Sequence, residues 1–201
     1  MRNIKEKKER ALGIKLFVKA ERCHSPKCVM VRRPFRPGAH GKRRHTVSDF
    51  GKQLLEKQKI QLTYGLNNRQ TRLLFGKHKA DGVMRILERR LDRAVFLLGF
   101  AMSSRIARQI VSHGHIQVNG RRMTIPSYQV HIGDVISVKP KSKDLQIFSG
   151  LGERFKKQEE LTGFELDREK LEAKAKAGYD YENEKANLPF DVNLVVQFYS
   201  R

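Results

Sequence analysis

The feature that most constrains this chain is a change of hydrophobic period between residues 87 and 139. Leu87, Leu91, Ala94, Val95 and Leu98 recur at helical spacing and form one apolar stripe, which Gly99 ends as a glycine just past a helix commonly does. A second helix follows, with Ser103 as its N-cap, Ile106, Ala107, Ile110 and Val111 as its core face, and Gly114 as a left-handed stop. Its other face is polar, because Arg105, Arg108, Gln109 and Ser112 fall at i, i+3, i+4 and i+7. From His115 the period drops to two. Residues 115–118 alternate, Asn119-Gly120 is the pair a tight hairpin prefers, and Arg121 and Arg122 stand beside the turn. Tyr128, Val130 and Ile132 alternate again, Gly133-Asp134 turns the chain, and residues 135–139 make a last strand. Two short helices thus feed a small antiparallel sheet. Helix and hairpin can share one surface, on which Arg105, Arg108, His115, Arg121 and Arg122 form a compact basic patch suited to a phosphate backbone.

Charge points to the same partner. The 201 residues carry a formal net charge of +21, which repels itself in a free compact protein and calls for a polyanion. It is unevenly placed. Residues 1–59 hold 18 basic and 5 acidic side chains, residues 60–140 hold 13 and 4, and residues 141–201 hold 11 and 12. Nucleic-acid contact is therefore expected in the first two thirds. No apolar run approaches the roughly 20 residues that span a bilayer, so no membrane is expected. Two cysteines are too few for a disulfide framework, which indicates a reducing compartment.

The first twelve residues are charge-dense and helix-compatible, and Ile14, Leu16 and Val18 suggest a brief extended piece. The segment V-M-V-R-R-P-F-R-P-G-A-H-G-K-R-R-H then excludes a regular helix through its prolines and glycines. Arg32, Arg33, Arg36, His40, Lys42, Arg43, Arg44 and His45, with Phe35 interleaved, make it a basic loop of the kind that follows folded RNA. From Thr46 the pattern is helical, capped by Thr46 or Ser48, with Phe50, Leu54 and Leu55 apolar, Lys52, Lys57 and Lys59 exposed, and a stop at Tyr64-Gly65. Asn67 or Asn68 caps another helix that Gly76 ends, and residues 77–82 form a short polar connection. Residues 141–152 resemble a linker, and 153–185 are dominated by Glu and Lys, either in helical turns or as a mobile surface. At the C-terminus Leu194, Val196 and Phe198 alternate, so the end reads as a strand or extended tail that must bury against the helical N-terminal half.

The run R-L-D-R-A-V-F-L-L-G-F-A-M-S-S-R-I-A-R-Q-I-V-S-H-G-H-I-Q-V-N-G-R-R with P-S-Y-Q-V-H-I-G-D-V-I-S-V resembles the RNA-binding module named after small-subunit ribosomal protein four. The flanking R-R-P-F-R-P-G-A-H-G loop and Q-F-Y-S-R ending extend the resemblance to the S-four ribosomal family over nearly the whole chain. It implies an α+β fold: a basic N-terminal extension (1–45), a helical domain built from 46–86 plus 141–201, and the inserted module at 87–140. It implies a structural constituent of the small subunit that binds a multi-helix junction in the 5′ domain of 16S-type rRNA, nucleates assembly and contributes to translational accuracy. It also implies a place near the mRNA entrance, beside small-subunit proteins five and three, in a cytoplasmic or organellar ribosome. The residues expected to contact RNA are Arg32, Arg33, Arg36, His40, Lys42, Arg43, Arg44, Lys52, Lys57, Lys59, Ser104, Arg105, Arg108, Gln109, His113, His115, Asn119, Arg121 and Arg122.

Some members of the family complete a four-cysteine zinc site with an upstream Cys-x-x-Cys pair. Here a gapless match puts Glu6 and Glu9 at those places, so Cys23 and Cys28, with His24 nearby, are read as reduced, partly buried thiols and no cofactor is expected, zinc being the alternative. No small-molecule substrate is expected either. The sequences H-I-G-D at 131–134 and K-P-K-S-K at 139–143 only faintly resemble tRNA-ligase signatures, and Asp92 and Asp134 sit in a helix and a turn. No Walker-type loop, nucleophile elbow or H-E-x-x-H occurs. The alternatives left open are an RNA-modifying enzyme or a free stress-response RNA binder built on the same module.

Overall fold

The computed structural model describes residues 6–17, 23, 25–43, 46–152, 163–167, 170–176 and 188–200. The chain divides into two compact units, one made of 1–83 with 183–201 and the other of 84–182.

In the first unit, helix α1 (Lys7–Leu12) ends at Gly13 in the left-handed region, and α2 (Val29–Arg32) starts just after Cys28. Helix α3 (Asp49–Tyr64) begins where the Ser48 hydroxyl accepts from the Gly51 amide and stops at left-handed Gly65. Helix α4 (Asn68–Lys77) opens with a reciprocal capping box between Asn67 and Gln70. It runs through Gly76 to Lys77, past the stop expected at Gly76. The C-terminal segment, expected as a strand or tail, is instead helix α8 (Val192–Tyr199). Asp191 caps it by accepting from the Asn193 amide. Val192 and Val195 are its buried pair, a spacing of three that belongs to a helix. It packs on α3 and α4 through Phe50–Phe198 and Phe75–Tyr199, and Phe190 just ahead of it meets Tyr64, with ring centroids 5.5, 5.8 and 6.1 Å apart. The Asp191 amide donates to Glu56 at 2.9 Å, which ties the cap to α3.

Helix α5 (Ala80–Glu88) occupies part of what was expected as a polar connection and leads into the second unit, where α6 (Leu91–Leu97) follows. The single helix expected across 87–98 is thus two. Arg90 between them is extended and bridges Gln129, the Leu91 and Asp92 amides donate to the carbonyls of Tyr128 and Pro126, and the Val130 amide donates to Arg89. The same pairing explains why Tyr128, Val130 and Ile132 make no strand of their own: the segment is held by the helix junction, and Ile132 is exposed.

Helix α7 (Ser104–His113) is capped by Ser103 and ended by left-handed Gly114. Strands β1 (Ile116–Val118), β2 (Arg121–Met123), β3 (Val135–Val138), β4 (Phe164–Asp167) and β5 (Glu172–Ala175) form one antiparallel sheet in the order β2-β1-β3-β5-β4. The sheet therefore takes in residues that the sequence reading assigned to the helical part with 141–201. Residues 141–152 are likewise more than a linker, since Ser142, Phe148 and Leu151 are buried there around two 3-10 turns. Ala94, Val95, Leu98, Phe100, Ala107, Ile110 and Val111 from the helices meet Ile116, Val118, Ile136, Val138 and Ala173 from the sheet. Each large side chain among them contributes about 1.5–3 kcal/mol on burial.

Candidate nucleic-acid interface

The α7 docking face stands on that core. Ala107, Ile110 and Val111 are buried, which leaves Arg105, Arg108, Gln109 and Ser112 on the accessible side, with Ser104 half-buried at its start. Arg108 is steadied from behind. Asp92 accepts two hydrogen bonds from Arg90, at 2.9 and 2.7 Å, and its Oδ2 lies 3.9 Å from the Arg108 guanidinium. The bidentate pair is buried, so Asp92 is a fixed negative end for Arg108. Nothing in the helical stripe signals this role; only the R-L-D run at the start of α6 does.

The β1–β2 hairpin turns on Asn119 and Gly120, at φ 52° and 75°, both in the left-handed region that a type I′ turn requires. Asn119, expected to touch RNA, is exposed at the turn, and its side-chain amide also braces the protein itself. Its amide donates to Asp134 at 2.8 Å and its carbonyl oxygen accepts from the Val135 amide at 2.9 Å. Asp134 also accepts from the His131 amide at 2.8 Å and the Tyr128 hydroxyl at 3.4 Å. Burial alone raises a carboxyl, yet the His131 amide, the Asn119 amide, the His131 charge and the Tyr128 hydroxyl together hold Asp134 below its ordinary value.

The turn places Arg121 and Arg122 in solvent. Arg122 folds back over Gly114 and donates to the His113 carbonyl at 3.3 Å; a Cβ at Gly114 would overlap its guanidinium. His113 and His115 lie 5.9 Å apart. His115 Nδ1 is 3.0 Å from the buried Ser142 hydroxyl, its ring meets Phe148 edge-on, and its carbonyl accepts from the Lys139 amide. Burial first, then the charges of His113, Lys139 and Arg122, push His115 below the ordinary histidine value. Four nitrogenous side chains thus crowd one end of α7. Lys139 joins the expected His113, His115 and Arg122 although its position in the sequence marked it only as a strand end.

In the first unit Arg32, Arg33, His40, Lys42 and Arg43 are exposed and Arg36 is half-buried; Arg44 and His45 lie outside the described residues. The loop turns tightly enough that a Cβ at Gly41 would overlap the Arg36 carbonyl. The three lysines of α3 are less available than expected. Lys59 pairs with Glu56 at 2.6 Å in a largely buried contact, Lys57 lies over the Phe198 and Tyr199 rings, and Lys52 pairs with Asp49 at 2.9 Å in solvent. The Glu56-x-x-Lys59 spacing carried the signal for the first. Cys23 and Cys28 are buried and not joined in a disulfide, and His24 lies outside the described residues. Among the described residues no group of three or more His, Cys, Asp or Glu side chains is placed to hold a metal ion. Glu9, at a family cysteine position, accepts instead from the Leu16 amide.

Two family models cover this architecture: the S4 domain matches residues 89–136, and the ribosomal protein S4/S9 N-terminal domain matches residues 1–91. Small ribosomal subunit protein uS4 of Thermus thermophilus is 46% identical over 196 residues, covering 94% of this chain and 93% of its own length. The chain belongs to the uS4 family. Other uS4 relatives are those of Desulfotalea psychrophila, 44% identical over 94% of this chain and 92% of theirs, and Caldicellulosiruptor saccharolyticus, 40% over 94% and 93%. The S4 domain match ends at β3, so in this uS4 chain β4 and β5 extend the sheet beyond the recognised module.

Proposed function

We propose that this protein is a structural constituent of the small ribosomal subunit that binds 16S-type rRNA through two basic surfaces, the 32–43 loop and the α7–hairpin end. The observation that carries the reading is the split of α7 into an apolar face that buries Ala107, Ile110 and Val111 and an accessible Arg105–Arg108–Gln109 face, within a chain of the uS4 family. Phosphate contacts position RNA, and rigid arginines set the register. The finer parts of the reading are that the target is a helix junction of the 5′ domain, that binding nucleates assembly, and that the protein sits near the mRNA entrance beside proteins five and three, where it contributes to decoding accuracy in cytoplasmic ribosomes. The function needs no catalytic group and no cofactor; the buried cysteines serve as core.

Filter binding to the rRNA 5′ domain at two salt concentrations tests the α7 surface. Arg105→Glu with Arg108→Gln removes two contacts; glutamine is chosen at 108 because a glutamate would face Asp92. The expected outcome is weaker binding and a log-log salt slope shallower by roughly 1.4–1.8, at about 0.7–0.9 per contact. Unchanged affinity and slope remove this face from the interface.

A further inference from the structure

The basic loop poses an electrostatic problem of its own. Between residues 22 and 48 there is no Asp or Glu, yet Arg32, Arg33, Arg36, Lys42 and Arg43 gather there. Like charges at such density favour an open chain. The loop nevertheless has a defined turn, with the Gly41 amide donating to Gly38 at 3.2 Å and the Arg43 amide to His40 at 3.1 Å. Another cation grips its backbone. From α1, the Nε of Arg10 donates to the Phe35 carbonyl at 3.0 Å and its Nη2 reaches the Arg36 carbonyl at 3.4 Å. The same guanidinium lies 5.2 Å from the centre of the Phe35 ring, and Lys42 Nζ lies 5.3 Å from that centre.

We propose that Arg10 is the positioning residue of the RNA-binding loop: its forked guanidinium, bound to two loop carbonyls and the Phe35 ring, sets the loop's arginines in register for phosphate before RNA arrives. The Phe35 and Arg36 carbonyl dipoles and the Phe35 ring serve as the counter-groups of this guanidinium. Arginine is required because it presents a fork edge-on and a flat face at once, whereas a lysine ammonium is a point charge. This rests on the reading of the loop as an RNA contact.

Arg10→Ala, Arg10→Lys and Arg33→Gln with Arg43→Gln are compared with the unaltered full chain in two measurements, amide hydrogen exchange over 35–43 and the salt slope of binding to the rRNA 5′ domain. Arg10→Ala is expected to speed exchange in the loop and to lower the slope by more than the roughly 0.9 of a single contact. Arg10→Lys is expected to behave like the alanine variant although its charge is kept. A slope change of one contact or less, loop exchange that does not change, or full rescue by lysine overturns the proposal. If Arg33→Gln with Arg43→Gln binds as tightly as the unaltered chain, the loop is no RNA contact, and it is the parent reading that has failed, whatever the exchange shows.

Discussion

His115 shows how one side chain links folding to binding. Its pKa lies below the ordinary value of 6.5 because burial and the charges of His113, Lys139 and Arg122 oppose its protonation. A histidine depressed in the folded state contributes stability that is present above the unfolded value and is lost as pH falls through the folded one. A phosphate at the same place has the opposite effect, since it favours the imidazolium. RNA binding should therefore take up a proton at this site, and affinity should rise as pH falls from about 7.5 to about 5.5, around the ordinary histidine value. His115→Gln should flatten that rise while leaving binding at the upper pH nearly unchanged. Titrating affinity against pH for both proteins checks it, and parallel curves would show that His115 stays neutral on the RNA.

At the scale of elements, α8 is the clearest dependence. Val195 is fully buried on α3 and α4, so Val195→Asp places an unpaired carboxylate in the core and should cost on the order of 3 kcal/mol or more. Hydrogen exchange should show α3 and α4 losing protection while β1–β3 keep theirs; protection retained in α3 would mean that it stands without α8. The elements legible from sequence were those that carry their own ends. Ser48 and Gly65, Ser103 and Gly114, and Asn119-Gly120 satisfy their caps and turns through neighbouring residues, so a linear reading found them. The break at Arg90 was hidden because Leu87, Leu91 and Ala94 stay in phase across it, and its cause is a backbone pairing with residues some forty positions away. The α8 segment is apolar at nearly every position, which leaves period two and period 3.6 indistinguishable until a surface chooses between them. For the site, residue types were legible but neighbours were not. Sequence offered Lys59 and Asn119 as free contacts although Glu56 and Asp134 occupy them, and it passed over Arg10 and Lys139.

For the molecule as a whole, the net charge of +21 sets two salt dependences of opposite sign. Salt screens self-repulsion in the free protein, so its melting temperature should rise between about 0.05 and 0.3 M salt, while affinity for RNA falls over the same range. Melting curves and filter binding in matched buffers check this, and a melting temperature indifferent to salt would mean that the charges sit too far apart to oppose folding. The helix closing the first unit has a further effect in time. Gln53 meets Gln197 across 144 positions, and Glu56 meets the Asp191 amide across 135. A nascent chain grows by roughly 5–20 residues per second, so α3 emerges roughly seven to thirty seconds before the segment that covers its apolar side. During that interval the later-made sheet can already be complete while the earlier-made helices still lack their lid, and the first part of this protein to be synthesised is the last to finish folding.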